Sequence, residues 1–455
     1  MKTALPFLFV FFTFLSGFAQ RISKTEAIAD IDYLDKVIRA AHYNPFLYTS
    51  EIKYIQKINQ VKSTIPDSIE TRPFTLKLGE ITGLIDDAHT APTFIQSIFK
   101  ADFRKPVFLP LTFVADKKGK TYSDGKALPG IIPAGAEIIS VNGTSIQKFY
   151  QESALRVGGL QTYRNEIAIK MIGYNIYLSG IRPPFKIAYQ YQHKKGIKTI
   201  ENGSILRDLI GDAFPNLIGK PYSFNILEDK VANIELNTLE GDYHPYLNFF
   251  DSCFTVIKQK KIKTLAIDIR KNTGGNSINA DLLLGFFNSK KYTLSGGKNW
   301  KISQLYKDQL IKQGDTSSNY LKQSNNSIWQ RLNCEPYDPK YTSEQAFFNG
   351  QVYIITGPMT FSSANMLADG VKQFKLAKLI GEATGENTND FGEGYHFQLP
   401  NSKIGFNVST SLDFGADCNN KTRHPVLPDR QIETSYLDKI KGLDPVLQYI
   451  LKVSE

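Results

Sequence analysis

The sequence predicts a protein of mixed class, α/β plus α+β, built from a helical region, a β-rich middle domain and a C-terminal α/β domain. A chain of 455 residues is long enough for about two to four domains. Apolar residues recur at helical spacing near the N-terminus, and short apolar runs alternate with amphipathic segments in the second half. The predicted parts are a signal peptide over 1–19, a helical region over 20–100, a β-rich domain over 101–218 and an α/β domain over 219–455.

The composition is that of a globular protein with a substantial core. Aromatic residues make up 12% of the chain, which excludes disordered, collagen-like and coiled-coil classes. The formal net charge of +10 comes without any basic cluster interleaved with aromatics, so no nucleic-acid partner is predicted. The motifs HExxH, CxxC and GxGxxG and the Walker lysine are all absent from the sequence, so neither a metal site nor any cofactor is expected.

The N-terminus has the pattern of a secretory signal. Lys2 precedes an uncharged, largely apolar stretch that ends with the small residues Gly17 and Ala19. This stretch is shorter than the roughly 20 residues needed to span a bilayer, and no cysteine follows it to accept a lipid. We therefore expect an exported protein, periplasmic or secreted, without a stable membrane anchor after signal cleavage.

The cysteine count allows at most one disulfide. Cys253, Cys334 and Cys418 are widely spaced, and their number is odd. A bridge between two of them would leave one thiol over, and the spacing does not select a pair. We expect all three to be small buried apolar residues instead.

The helical region and the β-rich domain differ in periodicity. Ser23 is placed to cap a helix whose apolar residues, from Ile28 to Ile38, recur at helical spacing. A second periodic run ends at 86–90, Asp-Asp-Ala-His-Thr. From Pro106 onward, short β-prone runs are separated by Gly and Asn turns.

The C-terminal part repeats a strand followed by a helix. Such alternation indicates a sheet covered on both faces, with loops gathered at the strand ends, where function is commonly located. The predicted strands are 231–236, 264–269, 352–356 and 377–382.

Two of the strand ends carry residues suited to acyl-transfer chemistry. At 268–277, Gly274 and Gly275 follow a strand and can present bare backbone N–H groups to an oxyanion or a phosphate; the alternative is an ordinary turn. Ser362 stands directly before a helix, where the positive helix end favours a nucleophilic serine, although serine is also a common helix cap.

Histidine offers a candidate base. His89 follows two carboxylates at the end of a helical run and is either a general base or a surface imidazole. His396, downstream of Ser362, is a reserve candidate, and the other histidines have no catalytic context.

Together these segments resemble the tail-specific, or carboxyl-terminal processing, serine peptidases, a family that includes the tricorn core. Residues 130–146 resemble the last strands of a PDZ domain, and 86–90 resembles the family's Asp-Gly-His-Thr. The family's strand-end, nucleophile, Gly-Glu-x-Thr-Gly and closing Pro-Asp motifs are matched, in the family's order, by 268–275, 360–363, 381–385 and 428–429.

The resemblance implies a PDZ-like middle domain and a C-terminal catalytic domain of ClpP/crotonase-like type. It implies an exported serine peptidase that acts on peptide or protein substrates at their C-terminal tails. Ser362 would be the nucleophile, and backbone N–H groups of Gly274 or Gly275 and of Ser363 would form the oxyanion hole. The PDZ-like segment would receive a peptide as an added strand.

The chain departs from the family's Ser-Lys members at the base. Their lysine would fall at Glu386, and no lysine occurs between Lys378 and Lys403. The tricorn-like branch uses histidine, and His89 fits that role by resemblance. The orienting carboxylate is left open among Asp86, Asp87, Glu393 and Asp413.

Two other functions are compatible with the same residues. Without the lysine, a degenerate family member would bind peptide tails without cutting them. A hydrolase of small esters or glycans on the same fold is the third possibility, because a fold does not fix function.

Overall fold

The computed structural model describes residues 21–93, 102, 104–127, 130–419 and 421–454. The predicted signal peptide, 1–19, lies outside these residues. The described chain forms four β-sheets with helices packed against them, so the predicted mixed α/β multidomain class is confirmed. Within the described part, no helix is long and apolar enough to cross a membrane.

The N-terminal region is mainly helical and starts with a well-formed cap. As predicted, Ser23 caps the first helix: its Oγ accepts a hydrogen bond from the Glu26 N–H, and Glu26 Oε2 accepts the Ser23 N–H at 2.8 Å. Apolar residues of this helix, among them Ile31 and Leu34, are fully buried. The elements are β1 Arg21–Ser23, α1 Lys24–Ala41, α2 Glu51–Ser63, β2 Ser68–Glu70, α3 Thr71–Thr82 and β3 Ala91–Pro92.

The middle region is built on an antiparallel sheet with strand order β4-β5-β6-β8-β9, with β7 paired to β6. Helices pack on it through a core that includes Ile138, Ile146 and Ile187. Strand β4 lies at one end of this sheet. The elements are β4 Phe113–Ala115, β5 Thr121–Ser123, β6 Glu137–Val141, β7 Thr144–Ser145, α4 Ile146–Leu155, α5 Gln161–Lys170, α6 Ile172–Leu178, β8 Phe185–Tyr191, β9 Lys194–Ile200 and α7 Leu206–Ile210.

The rest of the chain forms two further sheets with their helices. All four strands predicted for this part are present, within two residues of the expected ends. The elements are β10 Tyr222–Leu227, β11 Val231–Leu236, α8 Tyr243–Gln259, β12 Thr264–Asp268, α9 Ser277–Leu284, β13 Gly297–Lys301, α10 Gln304–Lys312, β14 Ile328–Leu332, β15 Gln351–Thr356, α11 Ser363–Phe374, β16 Lys378–Gly381, β17 Asp390–Gln398, β18 Gly405–Phe414, β19 Arg430–Gln431, α12 Tyr436–Lys441 and α13 Pro445–Val453.

The larger of these sheets has strand order β10-β11-β12-β15-β16-β19 and is parallel except for β10. Helices α8, α9 and α11 cover one face, where Phe250, Leu283 and Leu367 are buried. Helix α13 covers the other face through Val446 and Ile450. A sheet buried on both faces explains why its strands read as continuous apolar runs. Candidate residues at the ends of β12 and β15 therefore meet at one edge.

The second sheet, β14-β13-β18-β17, is antiparallel and joins the N-terminal region to the rest. Strand β3 pairs with β18, with Pro92 opposite Phe406 and Ala91 opposite Asn407. Apolar residues of α1, α2 and α3 share one core with this sheet. The segment that carries His89 is thereby attached to the C-terminal half of the chain.

The expectation that all three cysteines are buried thiols is wrong for two of them. Cys334 and Cys418 form a disulfide with a Cα–Cα distance of 5.8 Å, and only Cys253 is a buried free thiol. The two partners follow β14 and β18, which both pair with β13. Sheet pairing thus brings together residues 84 positions apart, and this adjacency cannot be read from their spacing.

Removal of this disulfide should lower stability. Because the bridge closes a long loop, we expect the double variant Cys334→Ser/Cys418→Ser to lose about 2–4 kcal/mol of unfolding free energy. Denaturant unfolding monitored by circular dichroism measures the loss. Reductant should lower the midpoint of the wild type to that of the double variant and leave the double variant unchanged. Equal midpoints for all samples would contradict a stabilising role.

Candidate active site

Ser362 stands on a strained strand-to-helix turn between β15 and α11. Its backbone has φ of 53° and ψ of −129°, a region that residues other than glycine rarely occupy. Its N–H donates to Glu386 Oε2 at 2.5 Å, and its carbonyl accepts the Met366 N–H at 2.9 Å. Although Ser362 is at the N-cap position, its side chain makes no capping hydrogen bond. The hydroxyl is therefore not used as a helix cap.

Two glycines lie directly against this turn. Gly274 and Gly275 have φ of 107° and 132°, which disfavour any side chain. A Cβ on Gly274 would lie 2.6 Å from Ser362 Cβ, and one on Gly275 would lie 2.1 Å from the Glu240 nitrogen. Glycine is required at both positions, because the backbone at Gly274 lies against Ser362 and the backbone at Gly275 lies against Glu240.

The backbone N–H groups around the serine divide into used and unused donors. The Gly274 N–H donates to Asn272 Oδ1 at 2.9 Å. The N–H groups of Gly275 and Ser363 have no acceptor within the described part of the chain. The Ser363 hydroxyl donates to the Gly275 carbonyl at 2.6 Å and so holds the glycine loop to the start of α11. Two unused donors beside a serine are suited to binding an oxyanion.

His89 reaches the same place through the pairing of β3 with β18. Its carbonyl accepts a hydrogen bond from Asn407 Nδ2 at 2.7 Å, and its N–H donates to Asp87 Oδ1 at 2.8 Å. The His89 ring packs against Phe361, the neighbour of Ser362, with 4.6 Å between ring centroids. The backbone on both sides of His89 is thus fixed, and its ring faces the serine turn.

Asp87 is a buried support for this segment. Its Oδ2 lies 3.0 Å from Nε2 of His42, a fully buried histidine. Because His42 Nδ1 accepts the Asn44 N–H at 3.1 Å, its Nε2 carries the proton and donates to Asp87. Burial raises the pKa of Asp87, but the interactions with His42, first among them its hydrogen bond, and with His89 and Thr90 outweigh burial, so the pKa lies below its ordinary value.

Glu386 connects the histidine to the serine. Its Oε1 lies 3.6 Å from His89 Nδ1, and its Oε2 accepts the Ser362 N–H. Burial first, and then the charge of nearby Asp390, raises the pKa of Glu386 well above its ordinary value. Burial thus favours the protonated form of Glu386, and a positive charge on the imidazole would favour its carboxylate form.

The carboxylates proposed from the sequence are engaged elsewhere or are more distant. Asp86 pairs with Arg164 and Arg423. Glu393 and Asp413 both pair with Lys298. Asp87 Oδ1 is 3.9 Å from His89 Nδ1, farther than Glu386. The sequence analysis therefore missed Glu386 as the partner of His89. The feature that could have revealed it is its position 24 residues after Ser362, near the place where the Ser-Lys members of the resembled family carry their base.

These groups share one cavity of about 450 Å³. Ser362 and His89 line it with Gly275, Ser363 and Glu386. Gly274 contacts Ser362 behind this lining. The reserve candidate His396 also borders the cavity, but its side chain lies on an exposed part of β17. Among the described residues, no group of three or more His, Cys, Asp or Glu is arranged to hold a metal ion.

Residues 230–431 match the model of peptidase family S41. The prediction of a serine-type hydrolase from the tail-specific peptidase group is confirmed at the level of this family. The S41 region contains Ser362, both glycines and Glu386, whereas His89 lies outside it. No curated protein matches the sequence.

Solved structures share the fold of this chain. Mature CPAF complexed with lactacystin aligns with a TM-score of 0.64 and 14% identity over 95% of this chain and 98% of that chain. A crystal structure of mature CPAF aligns with a TM-score of 0.64 and 15% identity over 95% and 96%. The photosystem II D1 C-terminal processing protease aligns less well, with a TM-score of 0.44 and 14% identity over 94% and 97%. At these identities the likeness to CPAF establishes the fold.

Glu386→Gln should separate activity from stability. The amide keeps the shape but cannot stabilise a protonated His89, so kcat for a peptide should fall by roughly 10²–10⁴. Because the folded state raises the pKa of Glu386, ionising it costs stability; this cost falls as the pH drops below the raised pKa and is gone once the pH is below the ordinary value of a glutamate. The variant should therefore have a Tm at pH 8 at least equal to that of the wild type.

The matched control is Glu201→Gln, which changes an exposed carboxyl outside the cavity and should keep both activity and Tm. On acidification from pH 8, the Tm of the wild type should rise relative to that of Glu386→Gln. A Glu386→Gln variant with full activity would remove Glu386 from the site.

Proposed function

We propose that this protein is an exported serine peptidase that hydrolyses peptide bonds in protein or peptide C-terminal tails, with Ser362 as nucleophile and His89 as general base. The observation that carries the proposal is the position of Glu386, which contacts the His89 ring with one oxygen and the Ser362 backbone with the other. One carboxylate thus links the two groups that must exchange a proton.

The proposed reaction follows from these contacts. Because Nδ1 of His89 faces Glu386, Nε2 is the nitrogen that takes the proton of the Ser362 hydroxyl as Oγ attacks the substrate carbonyl. The oxyanion receives hydrogen bonds from the N–H groups of Gly275 and Ser363, at the positive end of α11. His89 then protonates the leaving amine. Water hydrolyses the acyl-enzyme by the same proton transfers in reverse order.

Support for tail recognition comes from the free edge of β4 in the middle domain, which we propose is PDZ-like. Two backbone hydrogen bonds join β4 to β5 at its ends: the Asp124 N–H donates to the Thr112 carbonyl, and the Asp116 N–H donates to the Lys120 carbonyl. In an antiparallel pair this pattern points the backbone N–H and C=O groups of even-numbered residues in β4 toward β5. The backbone groups of Phe113 and Ala115 therefore point outward.

This outward edge has room for a peptide. It borders a cavity of about 880 Å³ enclosed by α4, α5 and the start of α12. The outward N–H and C=O groups of Phe113 and Ala115 have no partner among the described residues. An extended tail added to β4 as a further strand would pair with them. The peptide would enter by its C-terminus.

Two observations support export: the sequence of the N-terminal segment and the disulfide. Residues 1–19 have the composition of a secretory signal. The Cys334–Cys418 disulfide favours an oxidising compartment, either the periplasm or the medium. The division into a helical region over 20–100, a PDZ-like domain over 101–218 and a peptidase domain over 219–455 belongs to the same proposal.

Ser362→Ala should abolish peptide cleavage and leave Tm unchanged, because it removes only the attacking oxygen. His89→Gln should also reduce kcat strongly, because it removes the proposed general base. His396→Gln should leave kcat unchanged. Peptide hydrolysis is measured by mass spectrometry, and wild-type protein should react with a fluorophosphonate probe at Ser362. Tail-peptide binding with neither cleavage nor an adduct at Ser362 would instead indicate a degenerate tail-binding protein.

A free C-terminus should accelerate cleavage. Peptides that end in a carboxylate should have a higher kcat/KM than their C-terminal amides. Ala115→Pro removes one outward N–H from an end strand that tolerates proline, so it should reduce this preference. A short peptide that reaches only the Ser362 cavity is the control and should be cleaved equally by wild type and variant. Equal rates for acids and amides would refute tail recognition.

A further inference from the structure

The wall of the Ser362 cavity carries more acidic groups than the proposed reaction uses. Lys298 is the lysine that borders the cavity, and it bridges Glu393 and Asp413. Behind the wall, Arg423 pairs with Asp390 at 3.0 Å. Acidic side chains therefore outnumber basic ones. The carboxylates that line the cavity are Asp369, Glu386, Asp390, Glu393 and Asp413.

Asp369 has no role in the proposed proton transfers. It lies on α11 seven residues after Ser362, and both residues line the cavity. Asp369 is buried, with a relative exposure of 8% for the whole residue. Its Oδ2 accepts the Ala416 N–H at 2.6 Å, but Oδ1 has no partner among the described residues.

The surroundings of Asp369 do not neutralise it. Burial raises its pKa to about 6, against the hydrogen bond from the Ala416 amide. Asp417 adds to the rise, and His424 opposes it. Each acts through charge, since neither makes a hydrogen bond to Asp369 in the described structure.

A second acceptor lies between Asp369 and Ser362. Asn365, one turn after the serine, is only 3% exposed and also lines the cavity. Its Nδ2 donates to the Asn387 carbonyl at 2.9 Å, which leaves Oδ1 as a buried acceptor without a donor. Buried acceptors that lack donors cost free energy. A ligand that brings N–H groups and positive charge satisfies both residues, whereas an apolar or anionic group satisfies neither.

We propose that Asn365 and Asp369 form a subsite for the cationic side chain of a lysine or arginine next to the scissile bond. The proposal rests on the proposed peptidase function. The ammonium or guanidinium group donates hydrogen bonds to Asp369 Oδ1 and Asn365 Oδ1, while the neighbouring peptide carbonyl lies at Ser362. The substrate class is therefore peptides with a basic residue at the cleavage point.

Two peptide series test the subsite, one varied before and one after the scissile bond. Each contains lysine and its uncharged counterpart norleucine, and arginine and its uncharged counterpart citrulline. In one of the series, wild-type protein should prefer the charged member by about ten-fold or more in kcat/KM. Equal kcat/KM for charged and uncharged members in both series would overturn the proposal.

The variant Asp369→Asn tests whether the preference for a charged side chain comes from this subsite. In this variant, kcat/KM for the lysine peptide should fall toward that for the norleucine peptide. For the norleucine peptide, kcat/KM should stay at the wild-type value. Asp417→Asn, a neighbouring charge change outside the cavity lining, should keep the preference. Loss of cleavage of both peptides in Asp369→Asn, with lowered Tm, would instead show a structural role for Asp369.

The preference for lysine should also rise from pH 5 to pH 7, because Asp369 becomes charged over this range. The pH profile should be flat in Asp369→Asn.

Binding distinguishes failure of this proposal from failure of the peptidase assignment. Calorimetry with Ser362→Ala, which cannot cleave, compares the lysine and norleucine peptides directly. Tighter binding of the lysine peptide, together with an inactive wild type, would keep the subsite and remove the peptidase function. Equal binding of the two peptides, together with an active wild type, would remove the subsite and keep the peptidase function.

Discussion

The site depends on the pairing of β3 with β18. This short pairing, with Ala91 opposite Asn407, carries His89 from the N-terminal region to the serine turn of the C-terminal sheet. Because side chains alternate along a strand, a slip of one residue would turn the opposite face toward β18. The hydrogen bond from Asn407 Nδ2 to the His89 carbonyl and the one from the His89 N–H to Asp87 fix the register beside the histidine.

Around this junction the fold tolerates conditions that a stable core normally avoids. Ser362 has a strained backbone, and burial raises the pKa values of Glu386, Asp390 and Asp413. Such features cost free energy, and they persist because the surrounding sheets and helices hold them in place. Two extensive cores, one on the parallel sheet and one beneath α1 to α3, provide that rigidity.

The sequence predicted the parts of the structure that local pattern controls. The cap at Ser23, the strands of the parallel sheet and the strand-to-helix turn at Ser362 each depend on residues close together in the chain. His89 and the glycine loop followed from motifs whose order along the chain resembles one family. The assignment of Ser362, His89 and the glycines to catalytic roles remains a proposal.

Features that depend on distant packing were not predictable. The partner of His89 is Glu386, whose part in the site follows from the path of its loop and its depth of burial. The disulfide follows from two strands sharing a neighbour. Asp369 has no sequence pattern that separates it from ordinary helix residues, and only the cavity that it lines gives it significance.

The disulfide has a consequence for the chain's covalent integrity. It closes a ring of polypeptide between Cys334 and Cys418 that contains Ser362, Glu386 and the segment between them. A single backbone nick inside this ring opens it without releasing a fragment. After one such cut, Ser362 and Glu386 therefore stay in one covalently linked molecule.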